Sequence, residues 1–111
     1  MEIEATRHGT VMVLKPQGAL VEEELDSLHR AVDQQINAGS SRIVLDLADV
    51  PFVDSLGLEA LLDIAEKTEE AGGGLRFACA PDITRDILAA TRLVQRIELL
   101  DEIDMARKSF L

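Results

Sequence analysis

The spacing of hydrophobic positions changes several times along the chain, and each change predicts a different element. Near the start, apolar and polar residues alternate on both sides of His8 and Gly9, which predicts a β-hairpin. Apolar residues then recur every three or four positions over residues 22–38, and Gly39 follows. This spacing predicts an amphipathic helix that ends at the glycine.

Two strand-helix units are predicted in the middle of the chain. A dense apolar run at residues 43–47, rich in β-branched side chains, predicts a buried strand. Helical spacing over residues 55–71 follows, and three glycines at 72–74 end it. A second apolar run at residues 75–79 predicts the next strand. Because both strands are almost continuously apolar, we expect them to be covered on both faces.

The last third of the chain predicts shorter elements. Pro81 and Asp82 open a short helix, residues 97–99 form a brief strand, and Asp101 is expected to cap a final helix. The complete order is β-β-α-β-α-β-α-β-α. It predicts one α/β domain over residues 1–111, with a mixed and mostly parallel sheet, an initial β-hairpin and about four helices.

Charge narrows the range of possible partners. The 111 residues include 11 Lys and Arg against 21 Asp and Glu, which gives a net charge of −10. This charge repels nucleic acid and anionic membrane surfaces and favours a basic protein partner. There are only three aromatic residues, too few for a platform that stacks bases. We therefore expect no nucleic-acid partner, no membrane insertion, and a monomer or weak dimer.

Cysteine and histidine are scarce, which bears on location and on cofactors. Cys79 is the single cysteine, so no internal disulfide can form. The first residues lack the basic region and apolar core of an export signal, and we expect a cytoplasmic protein. With two histidines and one cysteine, a zinc site is not expected, and no other cofactor is indicated.

Ser55 is the candidate for chemistry, because it lies where the strand at 43–47 leads into the helix at 55–71. The start of a helix has unpaired N–H groups and the positive end of the helix dipole, so it favours negative charge. The residues alone leave two roles open, an N-cap and a regulatory site, and the preference of serine for caps favours the first. A serine hydrolase lacks support, since Val53 replaces the elbow glycine and no histidine follows Ser55. No catalytic residue is expected.

The run at residues 50–58 resembles the STAS domain of the bacterial anti-sigma factor antagonists. Three further features occur in the same order and at similar spacing as in that family. They are Gly18, the strand at 43–47, and the glycine turn at 72–74 that leads into the strand at 75–79. The resemblance covers nearly the whole chain. It implies the same α/β fold that the order of elements predicts.

The resemblance also implies a function. In that family, the serine after the aspartate is phosphorylated by an anti-sigma factor with serine kinase activity. The dephosphorylated form binds that partner and frees the sigma factor. Ser55 is then the implied phosphoacceptor. The residues implied in partner binding are Asp54, Ser55, Leu56, Gly57, Leu58, Glu22 and Glu23.

Two residues depart from the family pattern near this loop. Leu56 stands where the family usually has Ser or Thr, and Val21 stands where it commonly has Asp. These residues favour an alternative hypothesis of a constitutive STAS scaffold or transport-associated interaction subunit, in which Ser55 is only a cap. Both hypotheses describe a binding protein and not an enzyme.

Overall fold

The computed structural model describes residues 1–111 and contains one five-stranded sheet. The strands are β1 (Glu2–His8), β2 (Val11–Gln17), β3 (Arg42–Asp46), β4 (Gly74–Ala78) and β5 (Leu99–Leu100). They lie in the order β1-β2-β3-β4-β5; the first pair is antiparallel and the other three pairs are parallel. The predicted α/β fold, with a β-hairpin leading into a mostly parallel sheet, is confirmed.

Five helices accompany the sheet. They are α1 (Leu25–Asn37), α2 (Ser55–Glu70), α3 (Asp82–Ala90), α4 (Leu93–Arg96) and α5 (Ile103–Lys108), and a 3-10 turn at Glu22–Glu24 precedes α1. The predicted number of about four helices omits α4, because four residues are too few to show a helical period. Arg92, in the left-handed conformation with φ 62°, separates α4 from α3. None of the helices has both the length and the apolar character needed to span a bilayer.

Two predicted boundaries near the C-terminus are wrong. The last strand is Leu99–Leu100 and not 97–99, since Ile97 is instead buried in the core. Asp101 does not cap α5: Glu102 is the residue at the N-cap position and makes no side-chain cap. The Asp101 carboxylate accepts a hydrogen bond from Arg85 at 3.3 Å, so an ion pair with α3 replaces the expected cap.

Both faces of the sheet are covered, as the continuous apolar strands predict. In β3, Ile43 and Leu45 belong to the larger core, which also contains residues of α1 to α4. Val44 points to the opposite face and packs in a smaller cluster with Ala106 of α5. Successive residues of a strand point to opposite faces, so a strand buried on both sides must be apolar throughout.

Polar contacts hold α1 and α2 side by side. Lys67 of α2 lies 2.8 Å from a carboxylate oxygen of Asp33 and donates to Nδ1 of His29 at 3.0 Å. Burial, and then the charge of Lys67, lower the pKa of His29 below its usual value, which suits its role as an acceptor. Both helices follow parallel strands, so their N-termini lie at the same rim of the sheet, where the strands end.

Candidate functional site at the rim of the sheet

The loop after β2 and the loop after β3 are joined into one platform at this rim. Main-chain hydrogen bonds run from Gly18 N–H to the Asp49 carbonyl (3.0 Å), from Leu20 N–H to the Phe52 carbonyl (2.9 Å) and from Asp54 N–H to the Leu20 carbonyl (3.2 Å). Leu20 and Val53 pair as an isolated parallel bridge, and both side chains are buried. The two loops are therefore fixed as a strand pair is, although they lie beyond the sheet.

Asp54 connects the two helix N-termini that meet on this platform. Its Oδ1 accepts a hydrogen bond from Gly57 N–H at 2.7 Å, and its Oδ2 accepts one from Glu22 N–H at 3.3 Å. Its backbone is extended, with φ −86° and ψ −179°, as an N-cap requires. One carboxylate thus caps α2 and ties it to the turn that precedes α1.

The prediction that Ser55 is the N-cap is wrong by one residue. Asp54 is the cap, and Ser55 is the first residue within α2. Aspartate and serine are about equally good caps, and the carboxylate of Asp54 reaches the Gly57 amide three residues further on. Ser55 is exposed, and its hydroxyl makes no hydrogen bond within the protein. The fold does not depend on this hydroxyl.

The main-chain amides next to the Ser55 hydroxyl are open to a ligand. The N–H groups of Ser55 and Leu56 have no main-chain acceptor, since Asp54 binds the Gly57 amide instead. These groups carry the positive end of a helix of 16 residues. A phosphate ester on Ser55 would therefore find two free donors within the protein. Glu59, one turn further along α2, and Asp54 keep the surface around it acidic.

Gly57 allows α2 to approach the platform closely. The residue is buried, and a Cβ atom at this position would overlap the carbonyl oxygen of Leu20 and lie 2.8 Å from Cγ1 of Val53. A buried glycine offers no side chain to a partner. Its contribution to the site is the position of the helix N-terminus.

The other residues implied by the family resemblance are placed at the same rim. Glu22 and Glu23 are exposed in the 3-10 turn, and the bond from Glu22 N–H to Asp54 brings this turn to the start of α2. Leu56 is 39% exposed and faces solvent. Leu58 is half-buried and packs against the larger core.

Two exposed apolar residues at this rim were not predicted as part of the site. Phe52 is 47% exposed and Ile83, in the first turn of α3, is 65% exposed. Ile83 precedes Ile87 by one helical turn, so spacing alone assigns both to the core face. Only Ile87 packs against the core, however.

Among the groups at and near the rim that could bind metal or react covalently, Asp54 is committed to capping and Cys79 is partly buried. No group of three or more His, Cys, Asp or Glu side chains is placed to hold a metal ion. Asp54 accepts main-chain hydrogen bonds with both of its carboxylate oxygens. Burial, followed by the charge of Asp46, raises the pKa of the Cys79 thiol, so the reactive thiolate is disfavoured.

The caps can be tested by a pair of substitutions. Asp54→Ala is expected to lower the free energy of unfolding by about 1–2 kcal/mol, because two N–H groups lose their acceptor. Ser55→Ala is expected to change it by less than about 0.5 kcal/mol, since the hydroxyl has no partner. Urea unfolding followed by circular dichroism measures both. A larger loss of unfolding free energy for Ser55→Ala than for Asp54→Ala would show that Ser55, and not Asp54, is the N-cap.

The fold and the rim define a class of small α/β proteins in which a five-stranded mixed sheet presents a capped helix N-terminus on a two-loop platform. The chain belongs to the STAS domain family, whose family model matches residues 2–106. The resemblance inferred from residues 50–58 is therefore confirmed.

Individual relatives agree with this assignment. A Thermotoga maritima protein, an anti-sigma factor antagonist by name, is 27% identical over 97 residues, which are 86% of each chain. The crystal structure of an anti-sigma factor antagonist from Thermotoga maritima matches with a TM-score of 0.89 and 24% identity, over 97% of this chain and 93% of that one.

The same fold occurs in proteins with different names. A sulfate transporter family protein from Wolinella succinogenes matches with a TM-score of 0.79 and 22% identity, over 91% of this chain and 84% of that one. The antagonist SpoIIAA in its unphosphorylated form matches with a TM-score of 0.78 and 14% identity, over 97% and 96%. At these identities the likeness shows a shared fold.

Proposed function

We propose that this protein is an anti-sigma factor antagonist that binds an anti-sigma factor with serine kinase activity and is switched by phosphorylation of Ser55. The observation that carries the proposal is the exposed, unbonded hydroxyl of Ser55 at the start of α2, with the cap supplied by Asp54. Because the fold does not use the hydroxyl, a kinase can modify it without unfolding the domain. The names of the antagonist relatives, one of them described in an unphosphorylated form, support the same function.

The modification is a phosphoryl transfer from ATP held by the partner. The Ser55 Oγ attacks the γ-phosphorus, a new O–P bond forms, and the bond to the β-phosphate oxygen breaks to release ADP. The hydroxyl proton passes to a base on the kinase, while Asp54 keeps its hydrogen bonds to the amides of Gly57 and Glu22. The antagonist contributes a positioned nucleophile.

A phosphate on Ser55 is expected to be tolerated inside the domain but to weaken binding across an interface. The phosphate adds about −1.5 to −2 charges. Within the domain, the free amides of Ser55 and Leu56 and the helix dipole stabilise that charge. Across an interface, the phosphate adds bulk and must lose water, and it repels any acidic group of the partner. A small covalent change can thus release the complex while the fold stays the same.

A phosphotransfer assay tests the assignment of Ser55. The protein is incubated with Mg-ATP and each kinase-type anti-sigma factor of its own organism, and peptide mass spectrometry locates the product. One phosphate is expected on Ser55, and none on the Ser55→Ala variant. Ser27→Ala, which removes a serine from α1, is expected to accept phosphate as the wild type does. Phosphate on another residue, or on none with every kinase tried, would reject the proposal.

A second function is favoured by the exposed Leu56. An apolar side chain beside Ser55, 39% exposed, suits a surface that stays covered by a permanent partner. The fold also occurs in a sulfate transporter family protein. This alternative, a constitutive scaffold or transport-associated subunit, predicts a complex that Ser55→Ala and Ser55→Asp both leave intact.

A further inference from the structure

An open groove lies next to the Ser55 platform, between the loop after β3 and the loop after β4. Its volume is about 600 Å³, and it is lined by Ala48, Asp49, Pro51, Pro81, Asp82 and Ile83. The buried hydroxyl of Thr84, the residue after Ile83, donates a hydrogen bond at 2.5 Å to the carbonyl of Val50, the residue before Pro51. This bond ties the two walls together, so the groove is preformed.

Two prolines, an alanine and an isoleucine form the apolar part of the groove lining. Ile83 is 65% exposed, and Phe52, adjacent to Pro51, is 47% exposed. The two prolines fix φ and carry no N–H, so little conformational freedom remains to be lost when a partner binds. The apolar part of this surface is suited to one or two inserted apolar side chains.

Two of the six residues that line the groove are acidic, Asp49 and Asp82, and one of them is paired. Asp49 forms an ion pair with Lys15 at 3.5 Å. Asp82 and Asp86, one turn apart on α3, are exposed and take part in no ion pair. A purely apolar occupant would leave these carboxylates beside it without partners, and an anionic occupant would be repelled. The complementary occupant combines an apolar side chain with neighbouring Lys or Arg.

We infer that the anti-sigma factor inserts an apolar side chain, flanked by Lys or Arg, into this groove, between Pro51 and Ile83 and beside Asp82. The inference rests on the proposed function and extends its interface from Ser55 to α3. The exposed Phe52 lies along the chain between Pro51 of the groove and Asp54, the cap residue of α2, so the two surfaces are neighbours. The anti-sigma factor then contacts the rim at two places, of which only one can be phosphorylated.

Four variants test the groove by titration calorimetry with the anti-sigma factor that phosphorylates the wild type. Ile83→Asp and Asp82→Lys are each expected to weaken binding by about tenfold or more. Met105→Asp changes an apolar residue, 47% exposed, on α5, which covers the opposite face of the sheet. Glu2→Lys makes the same charge change on the edge strand β1. Both controls are expected to stay within about twofold of the wild type.

The outcomes separate this inference from the function on which it rests. If Ser55→Asp weakens binding and Ile83→Asp does not, the groove lies outside the interface and the inference fails alone. If Ile83→Asp weakens binding and Asp82→Lys does not, the groove takes an apolar side chain that has no Lys or Arg beside it. The inference of a basic flank is then rejected. If no anti-sigma factor binds the wild type, both the function and the inference fail. Circular dichroism of each variant confirms the native fold.

Discussion

Gly57→Ala is expected to lower the free energy of unfolding by about 3 kcal/mol, near the upper end of overpacking losses. The added methyl group would overlap the Leu20 carbonyl and meet Val53 Cγ1 at 2.8 Å. The Leu20 main chain cannot move away cheaply, because it exchanges hydrogen bonds with Phe52 and Asp54. The gain from replacing glycine by alanine in a helix is at most about 1 kcal/mol and does not offset this loss. Urea unfolding measures the difference.

Gly74→Ala is the matched control for this substitution. Gly74 is also buried and also has an ordinary φ, but the nearest atoms to its added Cβ are the flexible Arg76 guanidinium at 3.2 Å and the Phe110 ring at 3.5 Å. These side chains can shift, so we expect a change within about 1 kcal/mol. Equal effects of the two substitutions would show that α2 does not depend on close approach to the platform.

Ser55→Asp is expected to weaken binding to the anti-sigma factor by at least about tenfold, whereas Ser55→Ala stays within about threefold of the wild type. The aspartate adds bulk and a charge that must lose its water at the exposed first position of α2, which the proposal places in the interface. Alanine removes only a hydroxyl that has no bond within the protein. Titration calorimetry of both variants against the same partner measures the two effects.

Gln95→Glu is the control for added charge. Gln95 is exposed on α4, which immediately precedes β5 and therefore lies at the opposite end of the parallel sheet from Ser55. We expect binding within about twofold of the wild type, because surface charges separated by more than the Debye length of about 8 Å are screened. A loss equal to that of Ser55→Asp would indicate a general effect of net charge and would contradict a docking surface at Ser55.

The main elements of the fold could be predicted because their periods are long and clear. The three central residues of β3, at 43–45, are all apolar and buried, and α2 runs for 16 residues, so each pattern has one interpretation. Helix α4 and strand β5 have four and two residues, too few for any period. Their limits are set by tertiary contacts, among them the burial of Ile97 and the ion pair of Asp101.

The N-cap of α2 was predicted to within one residue, and the error has a local cause. Asp54 and Ser55 are adjacent and both are good N-caps, so composition cannot decide between them. The decision depends on Glu22, whose N–H binds the second carboxylate oxygen of Asp54 across 32 residues of chain. The groove could not be predicted for the same reason, since its two walls are brought together by a bond from Thr84 to Val50.

The central claim is that phosphorylation of Ser55 releases the anti-sigma factor, and one comparison tests it most directly. The wild-type protein and its stoichiometrically phosphorylated form are titrated against the same anti-sigma factor, without ATP, at one salt concentration. The phosphorylated form is expected to bind about a hundredfold more weakly, a loss of roughly 3 kcal/mol. Circular dichroism is expected to show the same fold in both forms. Equal dissociation constants for the two forms would contradict the switch.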